Sequence, residues 1–190
     1  MEQSDLLRKI AVTLDKLGVL YAVVGSTAST IYGEPRLTND IDVVLDLQPQ
    51  DVESFCSEFP EAEFYLSRAA VESAVRKRFQ FNIIHPSSGF KIDCILAGDN
   101  AFDQSQLRRA VRLPWEGGAF AVRFAAPEDV IIKKMEFFRL GQSEKHTRDI
   151  CGILKEQEDR IDRDYIRQWA EQMGLVEIWD AILVRVAAGH

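Results

Sequence analysis

The stretch "GEPRLTNDIDVVLDL", residues 33–47, decides how this chain is read. Its Gly33, Glu34 and Pro35 break whatever precedes them, and a strand follows over about Asp40 to Leu47. Side chains alternate along a strand, so Ile41, Val43 and Leu45 share one face and should pack on helices. Asp40, Asp42, Val44 and Asp46 share the other. Two ionised carboxylates at Asp40 and Asp42 repel; each raises the other's pKa unless a positive partner arrives. Water at the strand end could screen them, or a cation could bind there. Asp46, at the far end, reads as solvated.

Two further segments bear on that choice. Downstream, "FKIDCIL" sets Asp93 between Ile92 and Cys94. A lone aspartate in an apolar strand is costly to bury unless it is paired or binds a metal. If this strand lies beside the first, Asp93 completes a cluster with Asp40 and Asp42. Three carboxylates with open positions suit a hard cation such as Mg²⁺. They do not suit zinc, because His85, His146 and His190 show no ligand spacing. Upstream, "LYAVVGS" is a short buried strand ending in Gly25-Ser26, with a helical turn over Thr27 to Tyr32. Such a turn is either plain cap chemistry or a cradle of backbone N–H groups for an anion. It lacks the GK[ST] of a P-loop and the GxGxxG of a dinucleotide site. Asp40 lies 15 residues beyond Gly25, room for one short helix and a returning strand.

The remaining pattern is α+β. A helix precedes the first strand and ends at Gly18, and helices are expected over Asp51–Phe59, Ala69–Lys77 and Ala101–Arg109. "HPSSG" joins "RFQFNII" to "FKIDCIL" as one hairpin, and "EGG" joins "AVRLPW" to "AFAVRF" as another. From Pro127 the pattern is helical, with Glu128 and Asp129 favourable at the positive end of the dipole. Residues 1–126 therefore read as an α/β core and 127–190 as a helical region packed on it.

With 190 residues, 46% hydrophobic, the chain fits one compact domain or a domain with a helical appendage. No apolar run approaches the roughly 20 residues of a membrane span. The N-terminus has no export pattern, and three cysteines without CxxC spacing read as reduced thiols, so a cytoplasmic location is expected. A formal charge of −7 argues against a chain-wide basic surface for duplex nucleic acid. Local basic clusters around Arg76, Arg108 and Lys145 read either as solvated faces or as contacts for a short RNA.

"VVGSTASTIYGEPRLTNDIDVVLDL" resembles the active-site segment of the DNA polymerase β-like nucleotidyltransferase superfamily: a Gly-Ser turn, a short helix, then DxD on a strand, with a third Asp later. "GEPRLTNDID" is most similar to the AbiEii-type nucleotidyltransferase toxins and their uncharacterised relatives. "APEDVIIKKMEFFR" and "KHTRDICGIL" resemble that family's later motifs, although Gly152 stands where the family often has another Asp. The resemblance covers most of residues 20–155. It implies a nucleotidyltransferase-type mixed sheet flanked by helices, with a C-terminal helical bundle. It implies that Gly25 and Ser26 hold a nucleoside triphosphate such as ATP, that Asp40, Asp42 and Asp93 bind Mg²⁺, and that Asp93 is general base. Lys134 would contact the phosphates or the acceptor.

The residues add an independent argument for Lys134. On the helix from Pro127 it projects within the stripe of Ile131, Met135 and Phe138, whereas Lys133 points nearly opposite. A lysine there either snorkels at the rim or meets an anion. Arg36 pairs with a phosphate or neutralises the carboxylates. Arg148-Asp149 is a supporting pair or, given Gly152, a pair on the helix surface. The expected activity is Mg²⁺-dependent transfer of a nucleoside monophosphate to a hydroxyl of a tRNA end, a protein or a small molecule, and the resemblance implies a toxin with an antitoxin partner. The rival is a nucleotide-binding sensor or partner protein of the same fold without turnover.

Overall fold

The computed structural model describes residues 1–118 and 120–188; Ala119 and His190 of the expected strand and histidine set lie outside them. In chain order the elements are α1 (Gln3–Leu17), β1 (Tyr21–Val24), α2 (Gly25–Tyr32), β2 (Asp40–Leu45), α3 (Val52–Ser57), α4 (Arg68–Lys77), β3 (Gln80–His85), β4 (Phe90–Leu96), α5 (Ala101–Arg109), β5 (Val111–Trp115), β6 (Phe120–Phe124), α6 (Pro127–Gly141), α7 (Glu144–Gln157), α8 (Arg163–Met173) and α9 (Val176–Ala187). This is an α+β fold, and the chain divides into two compact units. One is Met1–Ser26 with Thr38–Ala125; the other is Thr27–Leu37 with Ala126–His190.

The first unit is built on a six-stranded mixed sheet in the order β3-β4-β2-β1-β6-β5. The strand carrying Asp40 and Asp42 sits inside that sheet, antiparallel to β1 and parallel to β4. Its alternation works as the sequence pattern requires. Ile41, Val43 and Leu45 are wholly buried, as are Ile92 and Cys94 of β4 on the same face. Each such side chain contributes about 1.5–3 kcal/mol by leaving water. Phe55 of α3, Val71 of α4 and Leu6, Ile10 and Leu14 of α1 are equally buried. The opposite face is therefore left to the polar positions. Both expected hairpins form, β3–β4 and β5–β6. The cysteines are free thiols.

In the second unit, Pro127 opens α6 at its first turn, with Glu128 and Asp129 following. Both carboxylates act as latches: Glu128 Oε1 accepts the Asp162 N–H at 3.1 Å and Asp129 Oδ1 accepts the Tyr165 hydroxyl at 2.8 Å, tying α6 to the start of α8. Gly174 caps α8 in the left-handed conformation, a position that favours glycine. The segment that ends α2 belongs with these helices. A Cβ on Gly33 would stand 2.9 Å from the Ile153 backbone nitrogen and 3.0 Å from the Gly152 carbonyl carbon, so only glycine fits between. Gln157 Nε2 donates to the Tyr32 carbonyl at 2.7 Å. No helix among the described residues is long and apolar enough to cross a membrane.

Candidate active site

In the first unit the parallel register sets Asp42 directly opposite Asp93, and Asp40 opposite Lys91. All four lie at positions of the same parity, so they share the face turned away from the core. The antiparallel register of β1 and β2 sets Val24 opposite Asp42. Gly25 comes next, with φ +64°, where β1 passes straight into α2. A Cβ on Gly25 would overlap the Asp42 carboxylate. The glycine is thus needed twice: for the left-handed turn and for the space that Asp42 fills. Gly25 and Ser26 open α2, so their amides stand at the positive end of its dipole.

Two further residues complete this face, and the sequence reading had passed over both. Lys91 Nζ lies 2.9 Å from Asp93 Oδ2 and 3.8 Å from Asp40 Oδ1. The hydrogen bond to Asp93, against a smaller cost of burial, raises the Lys91 pKa above its ordinary value. Asn82 of β3 pairs with Asp93 in the antiparallel register. With its amide turned so that the nitrogen faces the carboxylate, it donates to Asp93 Oδ1 at 2.8 Å. Lys91 was legible in principle, since it sits two residues before Asp93 on one strand. Asn82 was not, because only the hairpin register brings it there. Asp46, expected to be solvated, instead accepts from Arg78 Nη1 at 2.9 Å and from Gln48 Nε2 at 2.7 Å just past the end of β2.

Among the described residues, no three His, Cys, Asp or Glu side chains converge into a ready metal cage. The donor chemistry nonetheless fits a hard divalent cation. Asp40, Asp42 and Asp93 supply carboxylate oxygens from adjacent strand positions, and Gly25 leaves room for Asp42. Lys91 currently shares the negative charge that such an ion would meet.

The second unit holds a different constellation. Lys134, on the apolar stripe of α6, is buried, and its Nζ donates to Asp149 Oδ2 at 2.6 Å. Arg36 grips the same carboxylate in bidentate fashion, Nε and Nη2 each at 3.1 Å. The anion that Lys134 meets is therefore Asp149. The surface reading of Asp149 fails, because its side chain is only 6% exposed. Burial pushes the Asp149 carboxyl up, but hydrogen bonds from Arg36 and Lys134, with their charges, outweigh it and hold its pKa below the usual aspartate value. Burial pulls the Lys134 ammonium down more than the bond to Asp149 raises it. Lys133, on the other side of the helix, pairs instead with Glu136.

The fold is shared with known structures at low identity. An antigenic nucleotidyltransferase-like protein from Paracoccidioides brasiliensis is 19% identical, with a TM-score of 0.51 over 80% of this chain and 73% of that one. ANT(2")-Ia in complex with adenylyl-2"-tobramycin is 14% identical, TM-score 0.55, over 90% of this chain and 98% of that one. The lincomycin-bound lincosamide antibiotic adenylyltransferase LnuA is 12% identical, TM-score 0.53, over 80% and 96%. No curated protein matches the chain in sequence. The family model described as "Nucleotidyl transferase AbiEii toxin, Type IV TA system" matches residues 10–175. That match takes in both strands of the carboxylate face, the Gly25-Ser26 turn and the Lys134–Asp149 node: the chain belongs to the AbiEii nucleotidyltransferase toxin family, and it is a nucleotidyltransferase.

Proposed function

We propose that this chain transfers a nucleoside monophosphate from an NTP to an acceptor hydroxyl at the Asp40, Asp42 and Asp93 face. The observation that carries the reading is the register of β2 on β4, which sets Asp42 against Asp93 beside the bare Cα of Gly25. The amides of Gly25 and Ser26, at the N-terminus of α2, receive the β- and γ-phosphates. Asp40, Asp42 and Asp93 hold Mg²⁺, which when bound draws charge from the α-phosphate. Asp93 accepts the proton of the acceptor hydroxyl. The acceptor oxygen then bonds to the α-phosphorus, and the bond to pyrophosphate breaks. Positioning and fixed charge supply most of the acceleration, as in related phosphoryl transfers. Phosphate contacts for Arg36 and Lys134 stay within the proposal, and Arg36, with a side chain 34% exposed, is the more accessible of the two.

The acceptor is an RNA 3′ end, a protein hydroxyl or a small molecule; the net charge of −7 favours a small footprint. The family's description supports a toxin countered by an antitoxin, and the proposal places it in the cytoplasm. The test is incubation of the protein with each α-labelled NTP, Mg²⁺ and cell lysate, followed by fractionation of RNA, protein and metabolites. Label should appear in one fraction with release of pyrophosphate. Nucleotide binding with no pyrophosphate released from any NTP would sink the proposal and leave a binding protein.

A further inference from the structure

Both oxygens of Asp93 are engaged. Oδ1 accepts from Asn82 and Oδ2 from Lys91, so each oxygen already carries a donor. Lys91 also reaches Asp40, so a single ammonium sits between two of the three carboxylates. Its stem is flexible and its side chain 32% exposed, whereas Asn82 is short and fixed by the hairpin register. A hard cation binds a carboxylate oxygen at about 2.1 Å in the case of Mg²⁺, well inside the Lys91 contact. The Asp93 oxygen has a lone pair to spare, but an ammonium and a dication drawn to the same carboxylate stand within a few ångströms of each other and repel. Lys91 is the group able to leave.

We infer that Lys91 is a built-in counter-cation that competes with the divalent ion for Asp93 and Asp40 and hands the site over when a triphosphate arrives. This rests on the carboxylate face being the cation site of the proposed reaction. The displaced ammonium would find a new partner in the phosphate oxygens, whose charge exceeds that of the carboxylates it leaves. Metal and nucleotide would then bind cooperatively: the metal alone binds weakly because Lys91 opposes it, and the nucleotide removes the opposition.

Mn²⁺ alone serves as the probe, titrated without nucleotide and read by the paramagnetic resonance signal of the free ion. Lys91→Met should bind Mn²⁺ about tenfold more tightly than the native chain, the effect of removing one nearby, partly screened positive charge. Lys91→Arg, which keeps the charge, should stay near the native affinity. Adding a non-hydrolysable NTP should tighten Mn²⁺ binding in the native chain and do so much less in Lys91→Met. The Asp42→Asn variant separates the inference from its foundation. If native binding depends on Asp42 and Lys91→Met binds no tighter, the cation site stands and the role of Lys91 falls. If no variant binds Mn²⁺ in an Asp42-dependent way, with or without nucleotide, both fall.

Discussion

The molecule carries two clusters of opposite charge, and they are built to different ends. On the β2–β4 face, Asp40 is 54% exposed and Asp93 22%, and their partner Lys91 is 32% exposed. In the helical unit, Lys134 and Asp149 are 5% and 6% exposed, and a bidentate arginine closes the set. The open cluster has three carboxylates to one lysine and keeps negative charge within reach of a ligand. The buried cluster is answered within the fold: two cations meet one carboxylate that cannot rearrange. Openness leaves charge available for chemistry, and burial converts the same residue types into a fastening.

The comparison breaks first at Asp42. Asp42→Ala should lower nucleotide transfer by about a thousandfold or more, the scale of losing a group that acts on the developing charge. Its unfolding midpoint should move little, because the residue serves the open face. Steady-state transfer and thermal unfolding measured on the same sample test both halves. Retained activity would remove Asp42 from the site.

The reverse outcome is expected at Asp149. Asp149→Ala leaves Lys134 buried without its carboxylate and should cost about 3–5 kcal/mol of stability, read by urea unfolding. The double variant Lys134→Met with Asp149→Leu should recover most of that loss, since it removes both buried charges and leaves only Arg36, 34% exposed, to turn to water. If Asp149→Ala is as stable as the native protein, the node is not a fastening.

A smaller effect sharpens the contrast through pH. The folded-state pKa of Asp149 lies below the ordinary aspartate value of 3.8. The stabilisation it supplies is therefore present above that value and lost as pH falls through the lowered one. The difference in melting temperature between the native protein and Asp149→Asn should be steady near neutrality and close as the pH drops below about 3.8. A gap that holds constant in acid would mean that Asp149 is not ionised at neutrality.

Much of the open face was readable because it depends on strand alternation and local turns. Asp40 and Asp42 fall on one side of β2 by parity, Gly25-Ser26 ends a buried run, and Asp93 stands out among apolar neighbours. The Lys134 stripe was readable from helical periodicity for the same reason. What escaped the reading was whatever a partner element supplies. Asp149 looked like half of a surface pair because its neighbour Gly152 breaks the family pattern; its burial depends on α6 and on the segment around Gly33, distant in sequence. Asn82 and the Arg78–Asp46 pair needed the strand register and the loop paths.

By itself the sequence determined the periodicities, and through them the strands, the helices and the three aspartates of the acidic face. Those follow from steric and hydrophobic rules that act over a few residues. Only the tertiary structure decided how each charge is balanced. It put Lys91 on Asp93, and it closed Arg36 and Lys134 on Asp149. A charge takes its partner from whatever lies within a few ångströms, and in a folded chain that neighbourhood is set by packing rather than by order along the backbone.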